Sequence, residues 1–413
     1  MDIEIITIGD ELLTGHTIDS NAKFIAQHLT GLGFSVKHIS TAGDTLEQME
    51  EAILLGLKRA KIVITTGGLG PTDDDNTKKA IVKVFKRNLV YHENILNEIK
   101  ARYARRGIEM PAINQNQALL PQGADFFPNQ YGSAVGICIA ENNKIFIALP
   151  GVPQEMEQIM LDEVIPYLTK MKPAHLLKVI KIRTTGIVES KLADLLKPKI
   201  KLGSGVKLAF LPAYGGVDLR IMVTDEDETE AAEKAQLMER NIEATIGKHI
   251  YGKENDSLES VVGQLLIDND KTLATAESST GGQLGMIITS VPGSSSYFLG
   301  GAIVYSNESK INNLGVTEEL IEEYGAVSEE CALAMAAGCR KLFKCDYALS
   351  ITGIAGPAGA TDSKPIGTTY IGLVSAHTTI AKKFNFGTNR EATRTRAAYA
   401  ALELLRRDIL DIK

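Results

Sequence analysis

The segment ATAESSTGG, residues 274–282, places two serines, a threonine and two glycines between two apolar stretches. The residues TLATA before it read as a strand and GGQLGMIITS after it as a helix, so Ser278 lies at a strand-to-helix turn. Main-chain N–H groups there would point at one spot, as an oxyanion hole requires. The segment predicts a serine nucleophile, although Ser278 or Ser279 as an ordinary helix N-cap fits the same residues.

A serine nucleophile needs a base, and the C-terminal part of the chain offers one histidine, His377, with no carboxylate nearby. Its stretch reads as a strand edge or hairpin tip, which argues against a Ser-His-Asp triad and favours a serine–lysine pair. In AIVYSNESK, Lys310 follows Tyr305 by about one helical turn, so the tyrosine would hold the lysine or relay its proton. Such a lysine must be partly desolvated to be neutral near pH 7. The alternative for Lys310 is a solvated surface lysine.

Further turns of this region would contact a substrate. SITGIAGPAG ends a strand in glycines, and FGTNREATRTR places Arg390 near a helix start, where a guanidinium would hold a phosphate. Arg394 and Arg396 read instead as exposed helix residues. The predicted substrate-binding positions are Ser279, Thr280, Gly281, Gly282, Gly353, Gly356 and Arg390.

A second glycine turn, TTGGLGPTDDDNT, lies between a strand and a helix near the N-terminus. It lacks the third glycine of a dinucleotide-binding fingerprint and the Gly-Lys-Ser/Thr of a P-loop. Its consecutive aspartates would repel phosphate unless a divalent cation such as Mg²⁺ bridged them; the alternative is that they cap the following helix. Predicted substrate-binding positions here are Gly67, Gly68, Gly70 and Thr72. Predicted metal ligands are Asp73 and Asp74, with Asp10 and Glu11 from GDELLTG.

The elements that position these turns divide into three segments. Residues 1–172 alternate strands and helices, which predicts a doubly wound, mostly parallel sheet whose turns GDELLTG, TTGGLGP and PGVP share one strand-end cleft. Residues 173–252 read as a small β-α-β-β-α domain with a hairpin at AYGG, suited to a spacer or dimerisation role. Residues 253–413 restart with a capped helix and form a second α/β domain.

Composition limits the class of protein. The 413 residues carry a formal net charge of -7, which argues against a nucleic-acid clamp. The four cysteines show no CxxC spacing, so buried thiols in a reducing compartment are expected rather than a zinc site. No apolar run reaches the ~18 residues of a membrane span. With no signal-peptide pattern, we expect a cytoplasmic protein with no membrane association.

Taken together, these motifs resemble the CinA family of competence/damage-inducible proteins. TIGDELLTG, TTGGLGPTDDDNT and ALPGVPQEM resemble its N-terminal half, which is also similar to molybdopterin-binding domains. AESSTGG, VYSNESK, GAVSE, SITGIAGPAG and KPIGT resemble its C-terminal half, a nicotinamide mononucleotide deamidase. The resemblance covers essentially the whole chain, in the family's order and spacing, and implies a KH-like middle domain.

The resemblance implies two hydrolytic activities. The C-terminal domain would convert nicotinamide mononucleotide to nicotinate mononucleotide and ammonia without a cofactor. In it, Ser278 is the nucleophile and Lys310 the base, with Tyr305 beside it. The N-terminal domain would hydrolyse ADP-ribose with a divalent cation (Mg, Mn or Co), and a homodimer is expected.

This sequence departs from the family at two of these positions. Ser279 stands where many members have cysteine and Ala358 where aspartate is frequent. Two alternatives to the enzyme stay open at this point, a pterin-binding protein and a non-enzymatic competence or recombination adaptor.

Overall fold

A computed structural model describes residues 1–72, 74–171, 176–225 and 227–412. The described chain divides into two compact units, Met1–Lys178 with Val223–Glu233, and Val179–Met222 with Lys234–Lys413. The boundary predicted at residues 172–173 and the predicted ligand Asp73 lie outside the described residues. No helix in the described part of the chain is both long and apolar enough to cross a lipid bilayer.

The N-terminal domain is an α/β domain built on a six-stranded sheet of order β2-β1-β3-β8-β7-β6. Its strands, including the separate β4–β5 hairpin, are β1 Asp2–Ile8, β2 Ser35–Ala42, β3 Ile62–Thr66, β4 Leu89–Tyr91, β5 Leu119–Pro121, β6 Asp125–Phe127, β7 Gly136–Glu141 and β8 Lys144–Leu149. Its helices are α1 Asp10–Leu13, α2 Ser20–Gly31, α3 Leu46–Arg59, α4 Thr77–Val84, α5 Glu93–Arg105, α6 Pro153–Ile159 and α7 Ile165–Thr169. A π-helical turn, Met160–Val164, joins α6 to α7.

Alternating apolar residues cover both faces of this sheet. Ile6 and Val63 point into a core with helices α3 and α4, whereas Ile3 and Ile62 point into a second core with α2 and α6. Strands β2, β1, β3 and β8 run parallel, so their carboxyl ends lie at one edge. The predicted doubly wound sheet and the shared strand-end edge are therefore confirmed.

The middle domain has the predicted β-α-β-β-α order and one further strand. Its elements are β9 Leu176–Thr185, α8 Glu189–Leu196, β10 Val206–Ala213, β11 Gly216–Asp225, α9 Glu228–Ile246 and β12 Ile250–Lys253. The sheet order is β10-β11-β9-β12. The hairpin turns at Tyr214–Gly215, within the predicted AYGG segment, whereas the short edge strand β12 was not predicted.

The C-terminal domain is a second α/β domain with a five-stranded sheet of order β14-β13-β15-β16-β17. Its strands are β13 Leu273–Glu277, β14 Phe298–Ile303, β15 Tyr347–Gly353, β16 Thr368–Val374 and β17 Thr379–Asn385. Its helices are α10 Leu258–Asp268, α11 Gln283–Thr289, α12 Asn307–Leu314, α13 Glu318–Tyr324, α14 Glu329–Phe343 and α15 Arg390–Ile409. Strand β13 is parallel to both β14 and β15, and the remaining pairs are antiparallel.

Candidate functional site

Ser278 directly follows the central strand β13 and precedes helix α11, as the sequence predicts. Its N–H donates to the carbonyl of Ile351 at 2.9 Å, which extends the pairing of β13 with β15 by one residue. The residue is only 8% exposed. The nucleophile candidate is therefore fixed to the core of the sheet rather than carried on a mobile loop.

Lys310 reaches the Ser278 hydroxyl from helix α12. Its Nζ lies 3.1 Å from Ser278 Oγ and donates to the carbonyls of Val304, Tyr305 and Ser306 at 3.0, 3.2 and 3.4 Å. The side chain is 1% exposed, so a solvated surface lysine is excluded. Within the described residues no carboxylate lies in salt-bridge range of this ammonium group.

Burial lowers the pKa of Lys310 below its ordinary value of 10.5. A charged Cys331 thiolate would act in the opposite direction, but burial also raises the pKa of Cys331 and so disfavours the thiolate. Ser306 caps α12 by accepting a hydrogen bond from the Ser309 N–H, which fixes the first turn that carries Lys310. The serine–lysine pair thus has the desolvation that a neutral lysine base requires.

Glu277, the last residue of β13, organises the seryl turn. It is 2% exposed and accepts hydrogen bonds from the N–H groups of Gly282, Leu284 and Gly285 at 3.1, 3.0 and 2.8 Å. The start of α11 is therefore capped by a strand carboxylate, so neither Ser278 nor Ser279 serves as its N-cap. Sequence reasoning missed this role because Glu277 precedes the cap position and belongs to a strand.

Some main-chain N–H groups of the seryl turn donate hydrogen bonds within the domain, and others are available to a ligand. The N–H of Gly281 donates to the Ser278 carbonyl at 3.1 Å and that of Gly282 to Glu277, so the oxyanion hole predicted from these glycines is wrong for both. In the described chain, the N–H groups of Ser279 and Thr280 have no acceptor. The N–H of the residue after a serine nucleophile is a common oxyanion donor, which fits Ser279, and the Thr280 N–H next to it is also available.

Two arginines of α15 meet the seryl turn at a cleft of about 570 Å³ lined by Gly281, Gly282, Arg390 and Arg394, among others. Arg394 donates to the Thr280 carbonyl from Nε at 3.2 Å and from Nη2 at 2.6 Å. It is half-buried, not the exposed helix residue that the sequence suggested. The sequence does not show which face of α15 packs against the domain, so it does not show that Arg394 points toward the seryl turn.

Arg390 lines the same cleft and connects it to the other predicted turns. Its Nη1 donates to the Gly356 carbonyl at 2.7 Å, and its Nη2 lies 3.4 Å from the Tyr305 hydroxyl. Tyr305 is 62% exposed. Its main-chain carbonyl accepts a hydrogen bond from Lys310 Nζ, whereas its phenol has no described contact with Lys310. The phenol is therefore at the arginine, and the predicted proton relay has no described contact to support it. Gly353 ends β15 beside the seryl turn, without a described contact to the cleft.

His377 lies between β16 and β17 at an exposed hairpin tip. Its main-chain N–H donates to Ser375 Oγ, and no described side-chain contact joins it to Ser278. The four cysteines are buried and unpaired.

The N-terminal strand edge forms a second candidate site around the glycine turn after β3. The turn is fixed by Asp75, whose carboxylate accepts from the Gly70 and Thr72 N–H groups at 2.8 and 2.9 Å and from Thr72 Oγ1 at 2.5 Å. The Gly67 N–H donates to the Leu149 carbonyl at 3.1 Å. The predicted anion-binding amides of Gly70 and Thr72 are therefore engaged within the turn, and that of Gly67 is engaged by the end of strand β8.

In the described residues, the Gly68 and Leu69 N–H groups at this turn lack an acceptor. Gly68 has φ +61°, and a Cβ there would lie 2.4 Å from Thr77 Oγ1, so only glycine fits. Of the four predicted substrate-binding positions in this turn, Gly68 therefore leaves its main chain open to close approach by a ligand.

Acidic side chains face each other across the ends of β1 and β2. The Asp10 N–H donates to Asp44 Oδ2 at 2.9 Å, and the Asp44 N–H donates to Asp10 Oδ1 at 3.2 Å. Asp44 was not predicted. Asp10, Glu11 and Asp74 are exposed, as expected for groups open to a ligand.

Among the described residues no group of three or more His, Cys, Asp or Glu side chains is arranged to hold a metal ion. A pair such as Asp10 and Asp44 fits the way Mg²⁺ is usually held, by one or two carboxylates together with substrate phosphates.

Comparisons with known proteins match all three domains in order. The matching family models are described as probable molybdopterin binding domain over residues 4–170, damage-inducible protein CinA KH domain over 180–252, and CinA C-terminal domain over 255–409. A relative from Caldicellulosiruptor saccharolyticus, named "Putative competence-damage inducible protein", is 40% identical over 411 residues, covering 100% of both chains. One of the same name from Clostridium acetobutylicum is 38% identical over 412 residues, again covering 100% of both. The solved CinA protein of Thermoplasma acidophilum is 32% identical and covers 40% of this chain and 96% of its own, with a TM-score of 0.38.

Proposed function

We propose, since the chain belongs to the CinA family, that its C-terminal domain is an amidohydrolase that deamidates nicotinamide mononucleotide. The observation that carries this proposal is the 3.1 Å contact between Ser278 Oγ and Lys310 Nζ. Lys310 is buried, and no carboxylate among the described residues pairs with it. A desolvated lysine beside a serine is an arrangement for nucleophilic acyl transfer rather than for structural stability.

In the proposed mechanism, neutral Lys310 takes the Ser278 proton while Ser278 Oγ attacks the carboxamide carbon. The Ser279 and Thr280 N–H groups stabilise the oxyanion, and each such donor contributes about 10²–10³-fold in rate. Protonated Lys310 then gives its proton to the departing amine, and ammonia leaves an ester on Ser278. A water molecule, deprotonated by Lys310, hydrolyses that ester to nicotinate mononucleotide and restores Ser278.

The cleft beside the serine suits a mononucleotide. Arg390 and Arg394 put two guanidinium groups where a substrate phosphate would enter. The exposed ring of Tyr305 offers a face to the cationic pyridinium ring of this substrate.

The test is ammonia release from nicotinamide mononucleotide by the full chain and by Ser278→Ala. We expect the variant to fall to the uncatalysed background with an unchanged thermal unfolding midpoint, because the main-chain hydrogen bonds of the turn do not use the hydroxyl and Lys310 keeps its three carbonyl acceptors. Deamidation that persists in Ser278→Ala would refute the serine mechanism.

For the N-terminal domain we propose divalent-cation-dependent hydrolysis of ADP-ribose to AMP and ribose 5-phosphate. The support is the shared edge of the Gly68 turn and the Asp10–Asp44 pair. The cation would neutralise phosphate charge there, held by Asp10 and Asp44 with the substrate's own oxygens.

Asp10→Asn and Asp44→Asn should each abolish the reaction, as should EDTA, while nicotinamide mononucleotide deamidation continues. ADP-ribose hydrolysis that is untouched by EDTA contradicts the metal assignment, and binding of a pterin without any hydrolysis would favour the alternative function.

A further inference from the structure

A second cavity lies within the C-terminal unit, apart from the seryl cleft. It measures about 810 Å³ and is enclosed by two turns of the middle domain, residues 185–189 and 212–217, facing strand β17 and helix α15. None of its lining residues lines the cleft that Gly281, Gly282, Arg390 and Arg394 form at the seryl turn. Its size and its position between domains are typical of small-molecule sites, which occupy about 300–1,000 Å³.

The walls of this cavity are fastened together. Arg406, which is 2% exposed, pairs with Glu403 at 2.7 Å and donates to the carbonyls of Lys248 and Ile250 at 2.8 and 3.3 Å. A Cβ at Gly186 would lie 2.8 Å from Glu403 Oε1. The two domains are therefore joined beside the cavity through Arg406, and the main chain at Gly186 packs closely against Glu403, which lines it.

Aromatic rings line the cavity from both of its facing walls. Phe384 and Phe386 stack with a centroid distance of 5.3 Å and an interplanar angle of 10°. Tyr214 lines the opening with 54% of its surface exposed, and Tyr399 lines the wall. Flat, partly exposed rings of this kind accept a planar heterocycle by stacking.

Cationic groups flank the rings. Lys382, Arg396 and Arg407 line the cavity, against the carboxylates of Glu189 and Glu403. Glu403 is already paired with Arg406 and lies 3.7 Å from Arg407, so its charge is compensated. An anion beside the rings therefore meets a positive environment.

We propose that this cavity is a second nucleotide-binding site, which takes a mononucleotide with its base on the ring surface and its phosphate near Lys382 and Arg396. The ring faces select a planar base, and the cations select the phosphate. This site is independent of the chemistry at Ser278. Helix α15 carries both Arg394, which lines the cleft at the seryl turn, and Arg396, which lines the cavity, so a ligand at either site would contact this helix.

The experiment is photolabelling of the full chain with 8-azidoadenosine 5′-monophosphate, followed by peptide mass spectrometry. We expect label on peptides that contain Tyr214 or Phe384–Phe386, and protection by AMP that is stronger than protection by adenosine or by ribose 5-phosphate. Because peptides are identified individually, labelling of the N-terminal domain does not obscure the result.

Strand β17 supplies a matched pair of variants. Lys382 lines the cavity, whereas the exposed neighbour Lys383 lies 5.8 Å from the Tyr370 ring and does not line it. Lys382→Glu should reduce labelling of the cavity peptides at least about fivefold through charge reversal near the phosphate. Lys383→Glu should leave it unchanged, and both should unfold at the wild-type temperature.

The proposal would be overturned by label confined to other peptides, by an equal loss in both variants, or by protection by ribose 5-phosphate that is as strong as protection by AMP. Protection by single-stranded RNA but not by AMP would also overturn it and assign the surface to RNA. Deamidation of nicotinamide mononucleotide is measured separately, so its failure would not affect this result.

Discussion

Lys310 is buried in a setting that lowers its pKa. Three main-chain carbonyls and Ser278 Oγ surround its Nζ, but no carboxylate among the described residues balances the charge. Burial, the largest cause, lowers its pKa from 10.5. The neutral form is therefore populated at a lower pH than for a surface lysine, and this is the form that can accept the Ser278 proton.

The pH dependence of deamidation follows from that shift. Because the active form is deprotonated, kcat/KM should rise with pH as Lys310 loses its proton, with a midpoint below 10.5. Lys310→Arg keeps the positive charge but cannot deprotonate in this range, so we expect a loss of about 10³-fold or more. Ammonia release across a pH series checks both points. An arginine variant with the wild-type pH profile would show that Lys310 is not the base.

Glu277 is predicted to position the nucleophile without contacting the substrate. Glu277→Gln replaces one acceptor oxygen with an NH₂ group that faces the α11 amides, so the turn that presents Ser279 and Thr280 should shift. We expect kcat for nicotinamide mononucleotide to fall about 10–100-fold with KM little changed, less than for complete loss of an oxyanion donor, because the amides are displaced and not removed. Glu277→Asp, which keeps the carboxylate, should recover part of the rate.

A cap elsewhere in the same domain provides the control for Glu277. Thr317 accepts a hydrogen bond from the Leu320 N–H at the start of α13. Thr317→Ala should lower the free energy of unfolding by about 1 kcal/mol without changing kcat. If Glu277→Gln changes only stability in the same way, its role is structural.

The sequence identifies Ser278 and Lys310 as a pair because hydroxyl, glycine and lysine positions follow recognisable strand and helix boundaries. It does not identify Glu277, Arg394 or Asp44. Glu277 reads as the end of a strand, and its partners are amides that become free only when the helix start is known. Asp44 and Arg394 act through residues 34 and 114 positions away, so only the folded chain brings them to their sites.

At the scale of elements, α15 determines which cations reach the cleft. The helix buries Ala397, Ala401 and Leu405 against the sheet, and this fixes its rotation. Arg390 and Arg394 are four residues apart and therefore share the face toward the seryl turn. The helix itself was predicted from its sequence, but the face that carries each arginine depends on the packing.

Arg390 should recognise the substrate phosphate. We expect Arg390→Ala to raise KM for nicotinamide mononucleotide about 10–100-fold, as for loss of a hydrogen bond to a charged group. The same variant should process nicotinamide riboside, which lacks the phosphate, as the parent protein does. Lys341→Ala removes an exposed cation outside the cleft and serves as the control. An equal loss with both substrates would place Arg390 in the catalytic turn rather than at the phosphate.

At the scale of the whole molecule, the order of three domains follows from changes in the strand and helix rhythm along the chain. The attachment of the middle domain to the C-terminal domain does not follow from this rhythm. It depends on Arg406, which a helical sequence would place on a solvated face, and on the short strand β12, whose four residues give too weak a pattern. The role of Arg406 is visible only once its buried guanidinium is seen to donate to Lys248 and Ile250, and strand β12 only from its pairing with β9.

This attachment predicts how fragments of the chain behave. A fragment of residues 253–413 contains Ser278, Lys310 and both cleft arginines and should deamidate nicotinamide mononucleotide, but it lacks the two carbonyls that Arg406 binds. Its free energy of unfolding should therefore lie about 1–3 kcal/mol below that of a fragment of residues 179–413. Urea denaturation at pH 7 measures the difference.

Arg406→Ala tests the cause of that difference. In residues 179–413 the substitution removes the partners of two buried carbonyls and leaves Glu403 without its closest cation, which should be strongly destabilising, by about 3–5 kcal/mol. In residues 253–413 the carbonyls are absent and water reaches the same surface, so the substitution should cost clearly less. The gap between the two values is the coupling between the domains through Arg406. Equal values in both fragments would mean that the middle domain is attached by other contacts, and that the walls of the second cavity do not depend on this arginine.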